Sequence, residues 1–475
     1  MTLNKKLALN SVIQILGKFV MIGVGFVSIF ILTYFLGVEG FGAYTTITNY
    51  LIIATVLAEF GFNALLTTEI AGKDEKQISH IVNNLFTFRL VMAILVIGVI
   101  ASTSVWLIPA YTVEIKTLVA LGAIGAIGAS LSQVVIGVFQ TKLRTDKITI
   151  GDFLARITLM LGVLALALIG QVNLFWVMVW YSVSGIVQAI FMISATYKYY
   201  PIRLNIDWIY WKSIIKKALP LFVIITFNLI YYRIDTVMLS VMKDQTAVGL
   251  YGISYKILEI LIAIPGMFMG LLLPLFTKYY LQDKTRFQHI FQQAFNILVS
   301  VAVPLAVAGM LLSSKILALF GQDFTPATST LQVLFIGIGF IFLGNLMGHI
   351  LISAELQSKS MYIAIMGAVF NVCLNLYLIP KYSYLGAATA TAITEGLVLL
   401  SYIYLVKKHI KYFPKFQFIH LITILATSLM GLAIYFSSSW NVFLQTILAI
   451  VVFGLVILPL GVKRLKQYYA INIQE

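Results

Sequence analysis

Residues 10–36 read NSVIQILGKFVMIGVGFVSIFILTYFL, an apolar run that follows Lys5 and Lys6 and is broken by a single charge, Lys18. About 20 apolar residues cross a hydrocarbon core near 30 Å thick, so this run has full membrane length. A cleavable leader would have a shorter apolar core with an Ala-x-Ala-like site behind it. Neither feature is present, and the segment is expected to stay in the protein as its first transmembrane helix. The same pattern recurs. Breaking the chain at its polar and turn-forming clusters predicts spans near 10–36, 42–68, 81–107, 115–140, 149–170, 173–196, 214–242, 246–276, 288–312, 327–353, 359–379, 385–406, 417–436 and 441–462. A transmembrane barrel would instead show short alternating segments.

Composition agrees. Of 475 residues, 61% are hydrophobic and 10% are charged, and the mean hydropathy is +0.99. Soluble domains run nearer 45–50% apolar and about 25% charged. The chain has too little polar surface to cover a water-soluble fold, which excludes a soluble enzyme, a disordered chain and a secreted disulfide scaffold. One cysteine, Cys373, permits no intrachain disulfide and no Cys-based metal site. No zincin, P-loop, nucleophile-elbow or paired-Cys motif occurs, so no catalytic residue, metal or cofactor is expected.

The net charge of +15 has a topological explanation and does not require nucleic acid. With the N-terminus in the cytoplasm and the loops alternating, Lys116, Lys243, Lys315 and Lys381 are the only basic residues in outer loops. Five more lie inside spans, and all the others fall on the cytoplasmic side. An odd number of spans would scramble this asymmetry. Both termini are therefore expected in the cytoplasm of a multi-pass protein of the cytoplasmic membrane. The largest polar break, 197–213, follows span six. The predicted fold is all-α and polytopic, with an N-terminal lobe (1–200), a cytoplasmic linker (201–213), a C-terminal lobe (214–410) and an accessory helix pair with a tail (411–475). Phe41-Gly42-Ala43-Tyr44 opens span two and Val248-Gly249-Leu250-Tyr251 opens span eight. This echo suggests two six-helix lobes related by a parallel pseudo-twofold, with a substrate site at the repeat interface.

Charges inside spans are costly unless they meet a partner or a wet cavity, so they are the default candidates for function. The cations are Lys18, Arg89, Arg156, Arg233 and Lys256; the acids are Glu59, Asp235, Glu259 and Glu395. Lys18, Arg89 and Arg156 lie two or three turns from the cytoplasmic end of their spans, where a long stem can snorkel to the headgroups. Converging inward instead, they would form an electropositive site for a phosphate-bearing ligand. Lys256 and Glu259, at i and i+3, can pair along one helix face. Glu59 and Glu395 have no cation one turn away and, with Asp235 and Glu259, are candidates for ion coupling. Gly122, Gly125 and Gly128, and Gly344 with Gly348, read as close-packing helix surfaces. Spans thirteen and fourteen carry no charge between Lys415 and Lys463, which suits a lipid-facing appendage or a wall for a lipid tail.

Several stretches resemble the polysaccharide-biosynthesis flippases of the multidrug/oligosaccharidyl-lipid/polysaccharide exporter superfamily. They are Leu378 to Glu395 (LIPKYSYLGAATATAITE), Tyr232 to Leu239 (YRIDTVML), Leu36 to Tyr44 (LGVEGFGAY), Glu59-Phe60-Gly61-Phe62 and Tyr255-Lys256-Ile257-Leu258-Glu259. That family commonly has Asp at the position of Glu59, a departure that keeps the carboxylate. The resemblance implies twelve to fourteen helices in two lobes. It also implies translocation of an undecaprenyl-pyrophosphate-linked oligosaccharide from the inner to the outer leaflet by alternating access. On this reading Lys18, Arg89, Arg156, Arg233 and Lys256 would hold the pyrophosphate, and Glu59, Asp235, Glu259 and Glu395 would couple transport to H+ or Na+. The expected partners are the lipid-linked substrate, membrane lipid, and a polysaccharide polymerase or glycosyltransferase, around a monomer. Rival readings are a cation-coupled multidrug exporter, a glycosyl-transfer enzyme and a non-transporting member of an assembly complex. Five intramembrane cations against four acids disfavour the exporter, and short outer loops disfavour the enzyme.

Overall fold

The computed structural model describes residues 3–70, 72–142 and 144–472; the side chains of 3–16, 18, 19, 64, 67, 68, 224, 228 and 460–472 lie outside the description. Among the described residues every regular element is helical: α1 (Leu3–Glu59), α2 (Phe62–Ile70), α3 (Glu75–Leu107), α4 (Val113–Thr141), α5 (Thr145–Leu168), α6 (Leu174–Tyr197), α7 (Trp208–Met242), α8 (Gln245–Gln282), α9 (Lys284–Leu319), α10 (Gln322–Ser353), α11 (Gln357–Ile410), α12 (Phe418–Phe436) and α13 (Val442–Asn472). Only helices and closed barrels satisfy their own backbone in lipid, so continuous apolar runs of this length have one outcome.

Eleven of these helices are long and apolar enough to cross a membrane, and α7, bent between Phe227 and Leu229, makes a twelfth. Two of the twelve are too long for one pass. The 57 residues of α1 contain one non-helical residue, Gly37 at φ 65°, and the 54 residues of α11 contain one, Ser383 at φ 52°. A helix rising about 1.5 Å per residue covers a 30 Å core in roughly 20 residues, so each holds two passes. The helices thus account for the fourteen predicted spans. At Ser383 the chain folds back so tightly that a Cβ on Gly386 would sit 2.6 Å from the carbonyl carbon of Leu378. The loops expected at 37–41 and 380–384 are each reduced to a single turned residue.

Two compact units divide the chain, residues 1–249 and 250–475. In the first, α4 and α6 meet on their glycines. A Cβ on Gly125 would lie 2.5 Å from the Cα of Ser182, and one on Gly128 would lie 2.6 Å from the carbonyl oxygen of Gly185. Lipid gives helices no hydrophobic reason to associate, so close backbone approach and polar contacts hold them. The glycines of the expected α10 pair differ: a Cβ on Gly344 meets nothing within 4 Å, whereas one on Gly348 would touch the Tyr402 ring at 3.7 Å, so only Gly348 lies against a neighbouring helix. Helix α7 packs within the first unit. Ser240 Oγ lies 2.7 Å from Tyr111 Oη, and Phe222 stacks on Phe60 with ring centroids 4.5 Å apart.

The segment leading into α7 is fastened to α3. The backbone N–H groups of Arg203, Asn205 and Asp207 donate to Asn83 Oδ1 (2.9 Å), Thr87 Oγ1 (2.8 Å) and Asn84 Oδ1 (2.8 Å). Alternate residues of this segment thus meet one face of a helix. Asp207 then caps α7 by accepting from Tyr210 N at 3.0 Å, and its carboxylate lies 3.3 Å from His80 Nε2. These donors, the Tyr210 backbone N–H first, hold the Asp207 carboxyl below the usual carboxylate range.

In the second unit, α10 packs on α9 and α11, and the pair α12–α13 packs on α9 around Leu312, Met430 and Ile434. Lys315 of α9 anchors the turn of that pair, donating to the carbonyl of Trp440 at 2.8 Å and to Gln445 Oε1 at 2.7 Å.

Candidate functional site

Glu59 ends α1, and the next two residues leave the helix: Phe60 at φ 53° and Gly61 at φ 78° are both left-handed. A Cβ on Gly61 would press against the backbone of α7, 3.1 Å from Phe222 N. The sequence Glu59-Phe60-Gly61-Phe62 is therefore a turn that sets a carboxylate at a helix end within the membrane. Glu59 lies within electrostatic range of Arg89 on α3. Arg89 is fully buried at 0% exposure, which removes snorkelling as its role. Its Nε donates to Ser130 Oγ of α4 at 2.8 Å, while both terminal nitrogens have no hydrogen-bond partner.

Arg233 and Arg156 are placed differently. Half-buried Arg233 donates through one η nitrogen to Asn49 Oδ1 of α1 at 3.2 Å, and Asn49 is itself fixed to the Thr45 carbonyl at 2.8 Å. Asp235, two residues on, is buried. Arg156 of α5 is exposed, and one η nitrogen donates to the Met21 carbonyl of α1 at 3.3 Å. Gly25 makes room for it; a Cβ there would lie 2.9 Å from the same nitrogen. Tyr44, about a turn and a half before Asn49 on α1, is within electrostatic range of Arg156. One segment of α1, residues 44–49, thus lies close to both arginines.

A carboxylate that the sequence reading passed over belongs to this group. Asp152 sits one turn before Arg156 on α5, within electrostatic range of it, and accepts from Gln188 Nε2 of α6 at 2.9 Å. The signal was available: an acid and an arginine at i and i+4 within one apolar run share a helix face.

In the second unit Lys256 and Glu259 form an ion pair of 2.8 Å along α8, both half-buried. Glu395 of α11 is also half-buried and within electrostatic range of Tyr402 on the same helix. His349 Nδ1 lies 2.8 Å from the Asn345 carbonyl one turn back, a contact within its own helix. The side chain of Lys18 lies outside the described residues. Of the nine predicted charges, the first unit therefore sets Arg156 on the first pass of α1 and Arg233 on the second, and places covered Arg89 within electrostatic range of half-buried Glu59. A guanidinium fork can clamp a group with several anionic oxygens.

Residues 7–280, more than half of the chain, match the family described as polysaccharide biosynthesis protein, and residues 220–377 match the MatE family. The chain is 24% identical over 172 residues to "Probable flippase AglR" of Haloferax volcanii, covering 35% of this chain and 36% of that protein. It is 25% identical over 220 residues to "Capsular polysaccharide biosynthesis protein CapF" of Staphylococcus aureus, covering 44% and 54%. The matches thus span about a third and about half of those two relatives. A solved structure of the lipid II flippase MurJ in an inward closed conformation superposes with a TM-score of 0.78 over 94% of this chain and 98% of its own, at 14% identity, a likeness of fold alone. The family match over residues 7–280 takes in nearly all of the first unit and runs into α8, and this multi-pass membrane chain belongs to the polysaccharide biosynthesis protein family.

Proposed function

We propose that this chain is a flippase that carries a polyprenyl-pyrophosphate-linked oligosaccharide from the inner to the outer leaflet by alternating access, driven by a proton or sodium gradient. Arg156 supports the reading most directly. It is an exposed guanidinium inside a membrane-spanning helix, seated on the Met21 carbonyl in the first pass of α1, while Arg233 bonds Asn49 in the second. A pyrophosphate offers paired oxygens that match the guanidinium fork, and a low-dielectric surrounding strengthens each bond. Lys18, in the same unit, would add charge to the headgroup, while Arg89, fully covered, would act on Glu59 and not by touching the ligand.

For coupling, Asp152 joins Glu59, Asp235, Glu259 and Glu395. Asp152 lies one turn from the exposed Arg156 within the same span, so its protonation or cation binding would alter how strongly Arg156 is held. A ligand shifts a conformational equilibrium only through such differential affinity. The match of residues 220–377 to the MatE family favours a second reading, a cation-coupled exporter of small molecules.

The deciding experiment reconstitutes the full chain in liposomes with lipid-linked oligosaccharide and follows its arrival in the far leaflet. Removing one charge-assisted clamp, as in Arg156→Ala or Arg233→Ala, is expected to lower the flipping rate about tenfold or more at equal protein content. Arg156→Lys should recover only part, because it keeps charge but loses the fork. Wild-type rates in both alanine variants would remove these residues from the path. Export of a cationic dye with no movement of the lipid-linked sugar would select the second reading.

A further inference from the structure

The two arms of α11 enclose a groove that the proposed transport site does not use. Its upper part, about 540 Å³, is lined by Tyr362 and Ile363 from one arm and by Leu397, Leu400, Ser401 and Tyr404 from the other. A further 410 Å³ continues along the same arms past Met366 and Phe370 and shares Tyr362, Leu397 and Ser401. Tyr362, Leu400 and Tyr404 are 60% or more exposed, so the groove opens outward along part of a membrane-spanning hairpin. Both volumes fall within the usual range of small-molecule sites.

One end of this apolar groove is strongly basic. Lys359 lines it directly, and its Nζ lies 2.8 Å from His409 Nε2 of the other arm. Lys408 reaches over Tyr404, 5.6 Å from the ring centroid, and Lys407, Lys411 and Lys415 follow in the same short stretch. From 356 to 417 the sequence holds a single carboxylate, Glu395, which lies within the second arm; Glu355 stands just before the first. Crowding cations at one mouth costs free energy unless an anion neutralises them. An oily slot about 17 Å long, roughly one leaflet deep, ending in lysines has the chemistry of a phospholipid: acyl chain along the slot, phosphate at the cations.

We propose that the groove of α11 is a binding site for an anionic membrane phospholipid, with an acyl chain between Tyr362 and Leu400 and its phosphate held by Lys359 and Lys408. The site lies wholly in the second unit and stands independently of the transport reading. A lipid bound there would stabilise the hairpin that turns at Ser383, because it touches both arms at once.

The test uses the full-length protein purified in detergent and titrated, in native mass spectrometry, with dioleoyl-phosphatidylglycerol and with dioleoyl-phosphatidylcholine. Phosphatidylglycerol should bind one site at least about tenfold more tightly. Lys359→Gln with Lys408→Gln should weaken it about fivefold for each charge removed. Ser401→Trp, which fills the slot and leaves every charge in place, should abolish that site. All three positions are exposed, and a monodisperse elution profile checks that each variant is folded. Equal affinity for the two lipids overturns the proposal. So does full phosphatidylglycerol binding by Ser401→Trp, which would reduce the feature to a charged surface. Displacement of phosphatidylglycerol by equimolar undecaprenyl phosphate would assign the slot to the substrate's tail and overturn it as well.

Discussion

Arg89 is the residue whose position has the largest energetic consequence. A guanidinium covered on all sides, bonded through Nε to Ser130 and with neither terminal nitrogen hydrogen-bonded, depends on the charge of half-buried Glu59 within electrostatic range. Glu59→Gln removes that charge and leaves the covered guanidinium; a loss of about 1–3 kcal/mol is expected. Adding Arg89→Met should restore most of it. Thermal unfolding of the four proteins in detergent closes the cycle, and additive losses would show that the two charges act separately. Gly42 makes a different demand. A Cβ there would lie 2.7 Å from the Gln245 carbonyl carbon and 2.9 Å from Gly249 N, so the two glycines of the repeated motif pack on each other. Gly42→Val should cost about 1–3 kcal/mol by overpacking. Gly266→Ala, where a Cβ meets nothing within 4 Å, should cost nothing measurable in the same melting assay.

Among the elements, the strap from Arg203 to Asp207 shows what a helical pattern conceals. Asn83, Asn84 and Thr87 are polar residues facing inward on α3, and each accepts one backbone N–H of the strap. Replacing Asn84 by Ala leaves the Asp207 N–H without that acceptor, at about 1 kcal/mol for one bond. The expected readout is faster protease cleavage between Tyr199 and Asp207, with global unfolding little changed. Acid should act on the same place. Because the Asp207 carboxyl is held below its ordinary 3.8, its contribution is complete above that pH and is lost as pH falls through the lowered value. Cleavage should therefore be flat from pH 7 to about 5 and rise only below about 4. Protection fading already at pH 6 would show that the Asp207 carboxylate does not carry it. The spans themselves were plain in the sequence, since twenty apolar residues in lipid have no alternative to helix. The strap was read only as a polar linker, because its partners lie about 120 residues away and no local pattern connects them.

At the scale of the whole molecule, the asymmetry of Lys and Arg and the even number of passes lead to one arrangement of the termini. Fluorescent-protein fusions at the N- and C-termini should both fluoresce, and alkaline phosphatase inserted at Lys381 should be active. The reverse pattern would overturn the orientation, and ends on opposite sides would invalidate the count of passes. Fourteen passes emerge from fewer helices than spans, because Gly37 and Ser383 turn the chain without ending its helical hydrogen bonding for more than a residue. Burial was less legible. Arg89 and Arg156 look alike in sequence, each a lone arginine near the end of an apolar run, yet one is covered and the other exposed. Asp152 went unnoticed because its importance comes from Gln188 and Arg156 beside it and not from its own position in the run.

The sequence by itself determined that this chain is helical, crosses the membrane many times and carries costly charges inside it, because hydropathy and charge act locally and additively along the chain. Only the tertiary structure decided which of those charges are paired, covered or open. Such outcomes depend on distances between helices that are remote in sequence, and the cost of a charge in a bilayer is set by what stands within a few ångströms of it.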